Sequence, residues 1–170
     1  MTKLIKLAKI TSAGLIASGI LLSQSLVAFA ETDRPKCENV KSRIDAHIIK
    51  YNNVRRLHVH RKEVVAQKGD KIVEIAKKKG ADTIELEAAL LEMQEKLTAI
   101  IEKYDELIAK LEDISDNACD YATPDALKED IDEAKTLAAS IKERIQEAKE
   151  YWRSTVKPLF QDLVSQRVER

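Results

Sequence analysis

The feature that most constrains the fold is a heptad repeat in the middle of the chain. Apolar residues recur there at alternating spacings of four and three, at Leu86, Leu90, Met93, Leu97, Ile100, Tyr104, Leu107, Leu111, Ile114 and Ala118. Such a repeat, with a period of about 3.5 residues, is typical of a helix that packs along its whole length in a left-handed coiled-coil manner. The rest of the chain must therefore supply partner helices.

Two further helical segments flank this repeat. The predicted helices cover residues 36–78, 83–116 and 124–168, and a kink is expected near Pro158 because proline removes one backbone hydrogen bond. The first helix carries a looser apolar stripe at Val40, Ile44, Ile48, Tyr51, Val54, Leu57, Val65, Ile72 and Ile75. Short links make neighbouring helices antiparallel. The sequence therefore predicts an all-α fold, an elongated antiparallel three-helix bundle (up-down-up) with coiled-coil-like packing.

The links carry recognisable boundary signals. Gly80 suits the left-handed position that ends a helix, and Asp82 with Glu85 forms a capping-box-like pair before the second helix. The run Thr123-Pro124-Asp125 combines a cap, a first-turn proline and a first-turn acid. Gly69 lies inside the first helix, where it costs about 1 kcal/mol of propensity and permits a local bend.

The first thirty residues have the pattern of a signal-peptide helix. Lysines at positions 3, 6 and 9 precede an apolar run over residues 10–22, and Ala28-Phe29-Ala30 provides the small residues that signal peptidase reads. We predict cleavage after Ala30, which leaves residues 31–170 as the bundle domain and an extracytoplasmic location in the periplasm, at the cell surface or in the medium. The alternative is an uncleaved membrane anchor over residues 10–29.

Two cysteines in an exported chain predict a disulfide. In a helical hairpin centred near Gly80, the start of the first helix faces the end of the second, so Cys37 and Cys119 both lie at the open end. A bond between them would tie these two helices together. The alternative of a redox-active pair is disfavoured because the two cysteines do not have the C-x-x-C spacing.

Charge is strongly segregated along the chain. Residues 34–79 contain 14 basic and 5 acidic residues, whereas residues 82–116 contain 3 basic and 11 acidic residues. Neighbouring helices of opposite sign favour packing side by side. An exported basic helix that already has an acidic neighbour is not expected to bind nucleic acid.

No residues are predicted to be catalytic, to bind a metal ion or to hold a cofactor. His58 and His60 are two residues apart, so they point about 200° apart on a helix and cannot chelate one ion. His60 and Glu63 are helical neighbours, but without further converging ligands this pairing does not indicate a metal site. The sequence has no Gly-rich phosphate loop, nucleophile elbow or zinc spacing.

The one local feature that suggests a binding site is a basic cluster in the middle of the first helix. It consists of Arg55, Arg56, His58, Arg61 and Lys62. As a functional site it would bind an anionic polymer, a lipid headgroup or an acidic partner. The alternative is pairing inside the molecule with acidic residues of the second helix, at Glu95, Glu102, Asp105 or Glu106.

The layout resembles that of uncharacterised exported coiled-coil proteins of bacteria. It comprises a leader, a cysteine at the start of a basic helix that contains Tyr51-Asn52-Asn53, and a second cysteine after the next helix. The resemblance implies no activity. It fits our functional hypothesis, a non-enzymatic exported bundle that acts by contact as an envelope scaffold, a spacer or a holdase-like chaperone. Its partner would be an unknown protein or envelope component, with a possible second copy of the chain, and an uncleaved leader would add membrane contact.

Overall fold

The structure is a computed structural model that describes residues 37–121 and 123–165. Within these residues four α-helices follow one another: α1 (Cys37–Lys77), α2 (Ile84–Asp116), α3 (Pro124–Tyr151) and α4 (Lys157–Ser165), with a π-helical turn over Trp152–Val156 between the last two. The predicted signal peptide and the predicted end of the third helix, residues 166–168, lie outside the described residues. Within the described part of the chain, no helix is long and apolar enough to cross a membrane.

The helices form an all-α bundle in which α2 is the shared partner. Both α1 and α3 pack against it, as do the π-helical turn and α4. Residue numbers on α1 rise as those on α2 fall, at the contacts of Asp45 with Ser115, Arg55 with Asp105, Gly69 with Leu90 and Lys77 with Glu87. Contacts between α2 and α3 follow the same rule, at Lys110 with Asp130 and Lys96 with Tyr151. The predicted up-down-up order is therefore present.

The heptad repeat forms the centre of the core. Every member from Leu86 to Ala118 is buried, although α2 itself ends at Asp116 and Ala118 lies in the turn that follows. The bulkiest fully enclosed side chains come from all three long segments, at Ile44, Ile100, Leu107, Ile114, Ile141 and Val156. The predicted seam of the second helix is confirmed.

The predicted stripe of the first helix was wrong in part. Leu57 and Ile75 are exposed, while His58, Gly69 and Val73 face the core. The reason is one of register. Ile44, Tyr51 and His58 follow one another at intervals of seven, and choosing apolar Leu57 in place of His58 rotates the stripe by about 100° at that point.

Gly69 allows close approach of two helices. A Cβ atom built at this position would lie 2.8 Å from Cδ1 of Leu90, a distance that would force the leucine to move. Helix α1 runs through this residue without interruption from Cys37 to Lys77. The glycine therefore serves packing against α2, and the bend that the sequence permitted is not needed.

The turn between α1 and α2 uses its signals differently from the prediction. Gly80 adopts a φ of 74°, as expected of a left-handed helix end. Asp82 accepts a hydrogen bond from the backbone N–H of Ile84 at 3.1 Å. The N-cap residue of α2 is Thr83, however, and not the predicted Asp82. The buried Thr83 hydroxyl donates to Glu87 at 2.5 Å, and Lys77 pairs with the same carboxylate at 2.8 Å. This arrangement joins the end of α1 to the start of α2.

The third segment begins where the sequence indicated, and its regular α-helix is interrupted close to Pro158. The Thr123 hydroxyl accepts a hydrogen bond from the backbone N–H of Ala126 at 3.2 Å, which confirms the predicted cap. The π-helical turn ends at Val156, and the N–H of Lys157 donates to the carbonyl of Trp152, one residue further back than in an α-helix. Pro158 follows at once, and its missing N–H and bulky ring disfavour regular α-helix at that point.

Candidate functional site

A small polar cluster interrupts the apolar interface between α1 and α2. The His58 imidazole stacks on the Tyr104 ring with 5.6 Å between centroids, and the centroid of the Tyr51 ring lies 6.1 Å from that of the Tyr104 ring. His47 stacks on Tyr51 at 6.2 Å, one helical turn towards the start of α1. His58 is only 2% exposed, and both tyrosines are also buried. We call these four residues the His–Tyr cluster.

Burial determines the electrostatics of the His–Tyr cluster. Desolvation, with a smaller contribution from the Arg61 charge, lowers the pKa of His58 to about 4. Desolvation also raises the pKa values of Tyr51 and Tyr104 to about 12. All three side chains are therefore neutral near pH 7. Within the described residues, the Tyr51 hydroxyl and Nδ1 of His58 and of His47 have no hydrogen-bond partner.

A buried neutral histidine makes the bundle sensitive to acid. The unfolded chain binds a proton at His58 near pH 6.5, whereas the folded chain does so only near pH 4. Stability that is present above pH 6.5 is therefore lost as the pH falls towards 4, by up to about 3 kcal/mol. We expect His58→Leu to remove this part of the pH dependence in urea unfolding measured across that range. The matched control is His60→Leu, on the exposed side of the same helix. This variant should lose stability between pH 6.5 and 4 as the wild type does. Equal acid sensitivity of wild type and His58→Leu would contradict the prediction.

The predicted basic cluster does not form one continuous surface. His58 faces the core, and Arg61 is half-buried with its pKa lowered by desolvation. Arg55 forms an ion pair with Asp105 of α2, which was one of the pairings expected for the alternative within the molecule. Arg56 is exposed and donates to the Asn53 side chain, while Lys62 is half-exposed. Arg56 and Lys62 are thus the members of the cluster best placed to meet an external ligand.

The two predicted cysteines meet at the open end of the α1–α2 hairpin. Their sulfur atoms are 2.13 Å apart and their Cα atoms 5.0 Å apart, across a sequence separation of 82. The same end is held by the Ser115 hydroxyl, which donates to Asp45 at 2.6 Å, and by an ion pair of Lys41 with Asp116 at 3.7 Å. The disulfide therefore lies at the end opposite the turn that contains Gly80.

A second polar network joins α2 to α3. The Lys110 ammonium contacts the carboxylates of Asp130 and Glu133, and the Tyr121 hydroxyl donates to Asp130 at 2.5 Å. These hydrogen bonds lower the pKa of Asp130 and raise that of Lys110, so both stay charged over a wide pH range. Asp130 and Glu133 thereby fasten α3 to α2.

The outer side of α1 is a basic face. Asn53 and Lys71 are eighteen residues apart, so they mark one line along the helix on the side away from α2. Between residues 42 and 71, the exposed residues near this line are Ser42, Ala46, Ile49, Lys50, Asn53, Arg56, Leu57, His60, Gln67, Lys68 and Lys71. None of them is acidic. The nearest carboxylates are Glu38 and Glu74, which lie about 60° from the line towards the two ends of α1, and Glu63, which lies about 80° from it. We call this surface the basic face.

The outer side of α2 is an acidic face. Leu91 and Ala109 mark its centre line in the same way. The exposed residues near this line are Ile84, Ala88, Leu91, Glu95, Glu102, Asp105, Glu106, Ala109, Glu112, Asp113 and Asp116. The three lysines of α2 lie about 100° or more from the line, and each is paired with a carboxylate. We call this surface the acidic face.

No family model, curated protein or solved structure matches the chain. Its chemistry therefore has to be inferred from the residues themselves. In the described residues no group of three or more histidine, cysteine or carboxylate side chains could hold a metal ion. Two open depressions lie there, one beside the α1–α2 turn and one along α3. Charged residues make up half of the lining of the first and most of the lining of the second.

Proposed function

We propose that the protein is a non-enzymatic, exported helical-bundle protein that acts by contact, as an envelope scaffold, a spacer or a holdase-like chaperone. The observation that carries this proposal is the arrangement of the α1–α2 hairpin. It is a long helical pair, closed at one end by a turn and at the other by paired cysteines. Such an object is stiff, and its outer sides offer extended surfaces on which a partner can lie.

The location of the perturbed groups supports a role in contact over one in catalysis. Catalysis by a histidine requires the imidazole to reach a substrate in a cleft. The strongly shifted His58 is enclosed between α1 and α2 and stacked on Tyr104. Its surroundings keep it neutral and out of reach, which is typical of a core residue.

The cysteines support the exported location. Disulfides persist in oxidising compartments and are rare in the cytoplasm. Two sulfurs at bonding distance, together with the leader pattern of residues 1–30, favour a mature chain that begins at Glu31 outside the cytoplasmic membrane.

Fractionation with site-specific crosslinking tests this proposal. A photoreactive residue at position 49 on the basic face, or at position 91 on the acidic face, should yield discrete adducts in the extracytoplasmic fraction. The protein recovered there should begin at Glu31 and contain no free thiol. A crosslinker placed at position 142 on α3 provides the comparison. A chain that keeps residues 1–30 and reduced cysteines in the cytoplasm would overturn the proposal. So would a turnover in the purified protein that is lost in His58→Leu.

A second candidate function is binding of an anionic polymer or lipid headgroup. The observation that favours it is the exposure of Arg56 and Lys62 on the basic helix. Polyphosphate is a suitable probe for binding of an anionic polymer, and phosphatidylglycerol vesicles are a suitable probe for binding of a lipid headgroup. Binding should weaken with added salt and in Arg56→Gln combined with Lys62→Gln, but not in Lys142→Gln. Binding that ignores salt, or none to either probe, would remove this candidate.

A further inference from the structure

The basic face and the acidic face are complementary to each other but lie on different sides of one molecule. Arg55 and Asp105 satisfy each other within the chain, and so do Lys77 and Glu87. Other charges on the two faces remain without such partners. Within the described part of the chain, Lys50, Lys68 and Lys71 form no ion pair, and neither do Glu95 and Glu102. Each face thus has the charges that the other one needs.

Each face also exposes large apolar side chains. On the basic face, Ile49 is 64% exposed and Leu57 is 45% exposed. On the acidic face, Ile84 is 74% exposed and Leu91 is 60% exposed. A free polyanion would be attracted by the lysines but would gain nothing from isoleucine or leucine. A surface that offers both opposite charge and apolar side chains fits better, and the acidic face is such a surface.

The spacing of these residues matches along the two helices. With α1 of one copy laid parallel to α2 of another, an offset of 34 to 35 residues places Ile49 beside Ile84 and Leu57 beside Leu91. The same offset places Lys68 beside Glu102, Lys71 beside Glu106 and Ile75 beside Ala109. One alignment therefore brings apolar residues to apolar residues and positive charge to negative charge over about 40 Å of helix.

From this register, we propose that the protein self-associates, with the basic face of α1 in one copy docked on the acidic face of α2 in a second copy. The contact joins two different surfaces, so it is heterologous. In such a pair, one copy keeps its acidic face free and the other keeps its basic face free. Further copies can dock on these free faces, so assembly continues beyond a dimer into rings or filaments. The proposal rests on the contact function above and names a second copy of this chain as the partner.

Charge reversal provides the test. The protein is produced from the full chain in an exporting host, purified with its cysteines oxidised, and examined by sedimentation velocity over a range of concentrations. Wild type should form species larger than a dimer at about 0.05 M salt and dissociate at about 0.5 M, because salt screens the paired faces. Lys68→Glu or Glu102→Lys alone should weaken association by about tenfold or more, because each places like charges opposite one another.

Mixing the two charge-reversal variants provides the decisive experiment. Equal amounts of Lys68→Glu and Glu102→Lys protein should assemble again, and so should a single chain that carries both changes, because every contact regains opposite charges. Lys142→Glu on α3 changes the net charge by the same amount as Lys68→Glu and should leave assembly intact.

Three results would overturn the self-association. They are a monomer at every salt and concentration, an assembly that the charge reversals leave unchanged, and binding of the basic face to phosphatidylglycerol vesicles without self-association. An exported, disulfide-closed monomer that still gives crosslinked adducts with another protein would retain the contact function and reject this inference alone.

Discussion

Leu107→Ala is expected to destabilise the protein by about 2 to 5 kcal/mol. Leu107 is 0% exposed and lies in the heptad seam of α2, the helix that packs against both α1 and α3. Truncation removes three carbon atoms from the core, and helices held by neighbours on both sides cannot collapse fully into the space. The free energy of unfolding from urea titrations, followed by the helical signal in circular dichroism, measures the loss.

Leu91→Ala is the matched control for this prediction. It makes the same chemical change in the same helix, but Leu91 is 60% exposed on the acidic face. Its expected effect is within about 0.5 kcal/mol of zero at concentrations where the protein is monomeric. Equal losses for the two variants would show that the heptad seam does not face the core.

Removal of the disulfide is the second large effect. Changing both Cys37 and Cys119 to Ser should lower the free energy of unfolding by about 4.5 kcal/mol in the chain-entropy model, because a loop of 82 residues is released in the unfolded state. The native helices should persist, since α1 and α2 remain packed along their length. Urea unfolding of the oxidised wild type and of the double variant gives the difference.

Reduced wild type is the control for the double variant. Since both lack the cross-link, their unfolding midpoints should agree, and both should lie below that of the oxidised protein. An oxidised protein no more stable than the double variant would contradict a stabilising cross-link. Loss of the helical signal in the double variant before any denaturant is added would show that the hairpin depends on the bond for its formation.

The helices themselves were predictable because local signals agreed with one another. The uninterrupted spacing from Leu86 to Ala118 identified the core side of α2, and Thr123 with Pro124 identified the start of α3. Pro158 located the irregular turn to within a few residues. The missing N–H of a proline does not by itself predict that the irregular turn is π-helical. These signals act over one or two turns of helix, so neighbouring residues in the chain suffice to read them.

The side chains of the candidate site were less predictable because their roles depend on a facing helix. His58 stood among four basic residues and was grouped with them, yet its ring is stacked on Tyr104 of α2. The sequence signal that could have placed His58 in the core was its spacing of seven residues from Tyr51. Gly69 was interpreted as a weak point, and its use became evident only from the position of Leu90 across the interface.

Sequence alone determined the helical class, the number of long segments, their order and the cysteine pair, because heptad spacing, proline, glycine and short links constrain the backbone locally. Tertiary structure alone decided which turn of α1 faces inward, which charges pair within the chain and which remain exposed. The physical reason is that burial and pairing depend on the distance between residues far apart in the chain. A rotation of one residue along α1 exchanges Leu57 for His58 at the core without altering the helix itself.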